Sequence, residues 1–263
     1  FPIGLPLSQA ATAVAAGNAV VLKPSELTPH AGRVIERLFA EAGAPPGLVR
    51  VVQGPGATVG EALVGHHGVD AIVLTGSTAT GRRVAARAAE RLCPTTLELG
   101  GKDPMLVLAD ADLDRAVEGA LWGAFANCGQ VCSGVERIYV ARALHDAFVE
   151  RLVGRARGLR VGDGHDPATE LGPLISERQR TVVEDLVADA AEHGALVVTG
   201  GNRPTIGLPG WFHEPTVFGD CDPKMRISCE EVFGPVVSVI PVDSLDQAIA
   251  VGNSVEYGLS AAI

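Results

Sequence analysis

"AVVLKPSELTPHAGRVIERLFAEAGAPPGLVRVV", residues 19–52, holds two short apolar runs on either side of a helical segment. Residues 19–22 and 48–52 read as buried strands, since continuous apolar runs suit strands covered on both faces. The helix between them is expected to start at Thr28-Pro29, an N-cap followed by proline at the first helical position. It should run to about Ala42, where Gly43 stops it. Strand–helix–strand alternation of this kind implies a βαβ unit and a parallel sheet.

The pattern extends outward. Residues 58–64 read as a helix, 71–76 as a strand and 78–92 as another helix. After "TTLELGG" (95–101) a second set begins. Residues 105–108 read as a strand, and Asp110 or Asp112 can cap a helix over 113–126. Residues 137–140 form the next strand and 143–158 a long helix. A helix over 181–193 ends at Gly194, followed by strands at 196–201 and 236–242. The boundary between the sets is placed at Gly100-Gly101, giving domains 1–100 and 101–263. The expected fold class is α/β, built on parallel sheets.

Bulk properties narrow the function. The 263 residues fit one or two domains at roughly 100–200 residues each. Hydrophobic residues at 47% and charged residues at 20% indicate a globular chain with a sizeable core. The net charge of −10 argues against nucleic-acid or anionic-membrane partners, which need basic patches. Five cysteines, without a CxxC pair or paired histidines at zinc spacing, point to a reducing, cytoplasmic compartment and no metal site. Residues 1–22 carry no charge, yet no basic segment precedes them, and Pro2, Gly4, Pro6, Gln9, Gly17 and Asn18 interrupt the apolar run. That argues against a secretory signal or a membrane span.

Two cysteines lie close together in "NCGQVCSG" (127–134). Thiolates attack carbonyls well, and small neighbours such as Gly129, Ser133 and Gly134 let a substrate approach. A cysteine is also a small buried hydrophobe in many cores. Glu98 ends an apolar run before two glycines, a setting that favours a general base, although a lone strand glutamate is as readily a solvated one. Two glycine stretches, "GPGATVG" (54–60) and "TGSTATG" (75–81), each join a strand to a helix. Either can offer backbone N–H groups to a phosphate.

The stretches "AAGNAVVLKPSELTP", "LTGSTATG", "TLELGGKDP", "NCGQVCSG", "EEVFGPV" and "YGLSAAI" occur in this order. Together they resemble the NAD(P)-dependent aldehyde dehydrogenase superfamily across essentially the whole chain. The resemblance implies a Rossmann-like cofactor domain, present in part as residues 1–100, followed by an α/β catalytic domain over 101–263. It implies aldehyde oxidation to the carboxylic acid, with Cys132 as nucleophile and Glu98 activating the water that hydrolyses the thioester. Relatives that pass the acyl group to coenzyme A lack this glutamate. Cofactor contacts carried over by the resemblance are Lys23, Ser25, Glu26, Gly56, Gly60, Gly76, Ser77, Glu231 and Phe233, with Gln179 reaching the same site. The pyrophosphate falls chiefly to Gly76, Ser77 and the helix after them. Glu26 can bind both ribose hydroxyls and repel a 2′-phosphate, which favours NAD over NADP.

The family places an oxyanion Asn directly before the Phe-Pro that opens this sequence, and further residues after "YGLSAAI". The chain thus resembles an internal fragment of a homo-oligomeric parent, without the bridging hairpin, and inactivity of the fragment alone is expected. Asn127 is not that oxyanion residue, and the Cys132 backbone N–H would be one remaining donor. Two rival readings stand beside this one: a non-catalytic paralogue of the same fold, and a thiol esterase that uses Cys132 and Glu98 without a cofactor.

Overall fold

A computed structural model describes residues 1–263. It divides into two compact units, Phe1–Leu99 and Gly100–Ile263.

The first unit opens on helix α1 (Gly4–Ala15). No helix was expected there. The alanine-rich run favours one, and Gly17, at φ 88°, ends it in the left-handed conformation common after helices. Strands β1 (Val20–Leu22) and β2 (Val49–Val51) pair in parallel across helix α2 (Pro29–Glu41). Pro29 holds the first position of α2 and Gly43 follows it at φ 85°, but Thr28 makes no side-chain cap bond. A π-helical turn (Gly56–Gly60) runs into helix α3 (Glu61–Gly65). Strands β3 (Ile72–Thr75) and β4 (Thr95–Glu98) form a second parallel pair around helix α4 (Thr78–Ala89). Ser77 caps α4 by accepting the Thr80 N–H at 3.3 Å.

One expectation fails in this unit. Apolar runs suggested strands covered on both faces, yet burial alternates along them, leaving Val21 52% and Val73 51% exposed. The strands form two separate pairs of three or four residues each. Each pair has one sheltered face, and exposed Val21 stands opposite exposed Arg50, as Val73 does opposite Thr96.

The second unit is built on a five-stranded sheet in the order β5-β6-β9-β8-β7. Its strands are β5 (Asp103–Val107), β6 (Val135–Ala141), β7 (Leu196–Thr199), β8 (Thr216–Gly219) and β9 (Val236–Val242). All neighbours are parallel except β7 and β8, which run antiparallel. Helices α5 (Leu113–Phe125) and α6 (Arg142–Gly158) follow the first two strands, and Asp112, not Asp110, caps α5. Helix α7 (Glu177–Glu192) begins a turn earlier than expected. Ser176 accepts the Gln179 N–H and starts it, the serine–glutamine spacing of a capping box. Short helix α8 (Arg226–Cys229), helix α9 (Leu245–Gly252) and strand β8 had no counterpart in the expected elements. Here β6 and β9 are buried along nearly their whole length, as two-sided coverage requires. No helix of the chain is long and apolar enough to cross a membrane.

Candidate active site

In the second unit the site grows from the turn between α5 and β6. Asn127, Cys128 and Gly129 take left-handed conformations in succession, at φ 53°, 60° and 68°. For residues with a Cβ this costs on the order of 1–2 kcal/mol each, so neighbouring bonds must hold the turn. A Cβ on Gly129 would overlap the Gly234 carbonyl oxygen, so only glycine lets the turn dock there. Asn127 Nδ2 donates to the Gln130 carbonyl and Gln130 Nε2 to that of Asn127, both at 3.1 Å. Gln130 Oε1 accepts the Ile175 N–H at 2.9 Å.

The turn separates its two cysteines. Cys128 points into the core, where burial pushes its thiol up to about 12. That keeps it protonated and inert. Cys132 is half-buried in the loop that enters β6, and all five cysteines are free thiols.

The segment after Leu99 lies against Cys132. A Cβ on Gly101 would overlap the Cys132 carbonyl oxygen, and the Gly101 N–H donates to Glu231 Oε1 at 3.1 Å. Burial raises the Glu231 carboxyl above its ordinary range, opposed by that N–H. Phe233, two residues on, is left-handed at φ 49° and half-buried, unlike a core aromatic. Gln179 Nε2 donates to the carbonyls of Val232 and Phe233 at 3.0 and 3.2 Å. Cys132, Gly101, Glu231, Phe233 and Gln179 therefore form one cluster.

Buried charges absent from the sequence-derived set surround this cluster. Asp103 accepts the Ser260 N–H at 3.1 Å on Oδ1, while its Oδ2 is buried without a partner. Burial raises its carboxyl to about 6. Lys102, Glu136 and Arg137 are buried beside it. The signal for the last two was the adjacent "ER" inside the apolar run "VERIYVA", where a buried strand gives charges no solvent to face.

In the first unit the remaining candidates gather at the carboxyl ends of the strands, where open α/β sheets bind ligands. Lys23 Nζ donates to the carbonyls of Pro24 and Gly54 at 2.6 and 3.3 Å and stands 3.7 Å from exposed Glu26. Ser25 Oγ accepts the Leu27 N–H and shapes this loop. Gly60 lies against the Lys23 stem, while open space faces Gly56 where a side chain would be. A second group forms where the Gly76 N–H donates to the Glu98 carbonyl at 3.0 Å. Gly76 also faces open space, Ser77 caps the following helix, and half-buried Glu98 closes β4. Glu98 belongs to the first unit and Cys132 to the second. No three His, Cys, Asp or Glu residues are grouped to hold a metal ion.

Comparison with known proteins identifies the family and the fold. A sequence model of the aldehyde dehydrogenase family matches residues 1–263. Betaine aldehyde dehydrogenase of Mesorhizobium japonicum is 44% identical over 265 residues, covering 100% of this chain and 54% of that protein. The enzyme of the same name from Brucella ovis is 45% identical with the same coverage. An NAD+ complex of aldehyde dehydrogenase from Bacillus cereus superposes with a TM-score of 0.96 at 41% identity, over 99% of this chain and 53% of that one. Betaine aldehyde dehydrogenase from Staphylococcus aureus in complex with NAD+ gives 0.93 at 39% identity, over 97% and 51%. The chain spans about half the length of the curated relatives it matches.

Proposed function

The chain belongs to the aldehyde dehydrogenase family, and from that premise we propose that it carries the reacting groups of an NAD-dependent oxidation of an aldehyde to its carboxylic acid. The observation that carries this reading is the cluster in the second unit. There half-buried Cys132 has its backbone against Gly101, which in turn donates to Glu231 at the start of the Phe233 turn, while Cys128 is sequestered in the core.

Cys132, its thiol proton released to solvent, attacks the aldehyde carbon through Sγ and forms a thiohemiacetal alkoxide. The Cys132 backbone N–H is a donor for the oxygen that becomes anionic in that step. Collapse of the adduct expels a hydride and leaves a thioester on Cys132, a two-electron oxidation of the carbon. NAD, when bound, supplies the acceptor for that hydride. Glu98 then takes a proton from water, the resulting hydroxide attacks the thioester carbon, and the acid leaves as the thiol is restored.

The residues of the first unit fit such a cofactor. Gly56 and Gly76 leave space for a phosphate to approach backbone N–H groups at the starts of helical segments. Exposed Glu26 and the partly buried Lys23 beside it are assigned to the ribose hydroxyls, where a carboxylate disfavours a 2′-phosphate. Glu231 and Phe233 are assigned to the nicotinamide ribose. The two named relatives support betaine aldehyde as the first substrate to try.

The test is NADH formation by protein containing this chain across a panel of aldehydes, betaine aldehyde included, with mass spectrometry to trap an acyl group on Cys132. Aldehyde-dependent NADH and an acylated Cys132 are expected. Ester hydrolysis that needs no NAD, with no NADH from any aldehyde, would establish the thiol esterase instead. Cofactor binding with neither activity would establish a non-catalytic protein.

A further inference from the structure

Glu136 and Arg137 are adjacent, charged and buried in β6. Neighbours on a strand face opposite sides, so the two hold different groups, meeting only at the two ends of Lys102. Arg137 Nε donates to the Lys102 carbonyl at 2.8 Å, and Nη2 to that of Gly252 at 3.1 Å. Glu136 holds a turn. Its Oε2 and Oε1 accept the Val232 N–H at 2.9 and 3.1 Å, and Oε1 also accepts the Phe233 N–H at 3.0 Å. Oε2 meets Lys102 Nζ at 2.5 Å.

A buried ion pair contributes little net stability, because desolvating both charges offsets their attraction. Its geometry here is specific. Two successive backbone N–H groups converge on one anion, the arrangement called a nest, with Phe233 left-handed at φ 49°. A non-glycine residue holds that conformation only when its surroundings impose it. Glu136 does so from the N–H side and Gln179 from the carbonyl side. The residue that enters this turn is Glu231, whose carboxylate reaches Gly101, the neighbour of Lys102. Lys102 is thus fixed through its carbonyl by Arg137 and through its ammonium by Glu136.

We propose that Glu136, with Lys102 as its counter-charge, is a positioning residue that sets the turn carrying Glu231 and Phe233 and so tunes how that turn receives the cofactor. The inference rests on the cofactor role proposed for Glu231. Glu136 itself is buried behind the turn and acts through it.

Two readouts separate this inference from that role: amide exchange at Val232 and Phe233, and NAD titration. They are applied to protein containing this chain as wild type, Glu136→Gln and Glu136→Ala, with and without formate. In Glu136→Gln the two turn amides are expected to exchange at least about tenfold faster, the scale of one weakened charged hydrogen bond. The amides of β6 and β9 should stay protected, and NAD should bind at least about tenfold more weakly. Glu136→Ala should lose more on both counts, and formate, a free carboxylate able to enter the vacated nest, should restore both.

Unchanged turn exchange in Glu136→Gln would overturn the inference. So would unchanged NAD affinity, or loss of protection throughout β6 and β9, which would make Glu136 a general structural element. If the wild type binds no NAD, the cofactor role of Glu231 fails by itself. Turn exchange and its rescue by formate then still decide whether Glu136 sets the turn.

Discussion

The two units use similar apolar strands to different ends. "VVL" and "IVLT" in the first unit and "VERIYVA" and "VVSVIPV" in the second are all rich in β-branched residues. In the second unit β6 and β9 lie inside a five-stranded sheet, and the large connected core of the chain is built around them. In the first, paired strands keep one face exposed. Composition makes a strand, but its number of neighbours decides what it buries. A chemical contrast parallels the architectural one. The second unit holds the proposed bond-forming thiol in a braced turn, while the first offers open glycines and an exposed carboxylate at strand ends.

The largest expected effect tests that contrast directly. Cys132→Ala, in the second unit, should reduce aldehyde-dependent NADH formation by about 10⁴-fold or more. NAD binding through the first unit should persist, as measured by titration. Substantial turnover in that variant would remove the division of labour.

Glu98→Gln, in the first unit, should leave the first turnover and slow the rest. Stopped-flow absorbance should show a burst of NADH followed by a steady state slower by about 10²–10⁴-fold. Absence of the burst would place Glu98 in bond formation as well.

Stability should divide in the same way. Phe148, fully buried under the second unit's sheet, should cost about 3–5 kcal/mol as Phe148→Ala in denaturant unfolding.

Asp103 sharpens the comparison through pH. Its folded carboxyl titrates near 6, above the ordinary 3.8, so the folded chain keeps a proton that the unfolded chain releases. Stability is therefore lost as pH rises from about 4 to 6 and stays lost above that. A shift of about 2 pKa units corresponds to at most about 3 kcal/mol. Asp103→Asn should raise the melting temperature more at pH 8 than at pH 4. An equal rise at both would separate that gain from titration.

The smallest effect belongs to the open face of the first unit, where Val73→Thr should change unfolding free energy by no more than about 0.5 kcal/mol. A larger loss would mean that something covers that face.

Much of this was legible in the residues. Apolar runs and glycine stops located β1, β2, β3, β6 and β9 and the helices α2, α4 and α6. The start of α7 and the whole of α9 were missed because their signal lies in capping rather than periodicity. Ser176 with Gln179, and Ser244 with Gln247, mark both starts. Strand β8 is four residues long, and although Pro215 and Gly219-Asp220 bound it, so short an apolar run is weak evidence for a strand. The motifs brought Cys132, Glu231 and Phe233 to attention, and these converge in the second unit. Lys102 escaped because it looks like an ordinary charge until the fold buries it against Glu136, whose own signal, a charge inside the apolar run "VERIYVA", named no partner.

The left-handed run from Asn127 to Gly129 has a consequence for anyone who tries to improve this protein by selection. Replacing exposed Asn127 with glycine relieves backbone strain, so a screen for heat resistance should find that change, whereas Cys128→Gly would also empty a core position and lose stability. The Asn127 change removes the bond to the Gln130 carbonyl and slackens the turn that presents Cys132. Variants recovered there should survive heating better and work more slowly, the trade-off expected where rigidity is spent on geometry rather than on endurance.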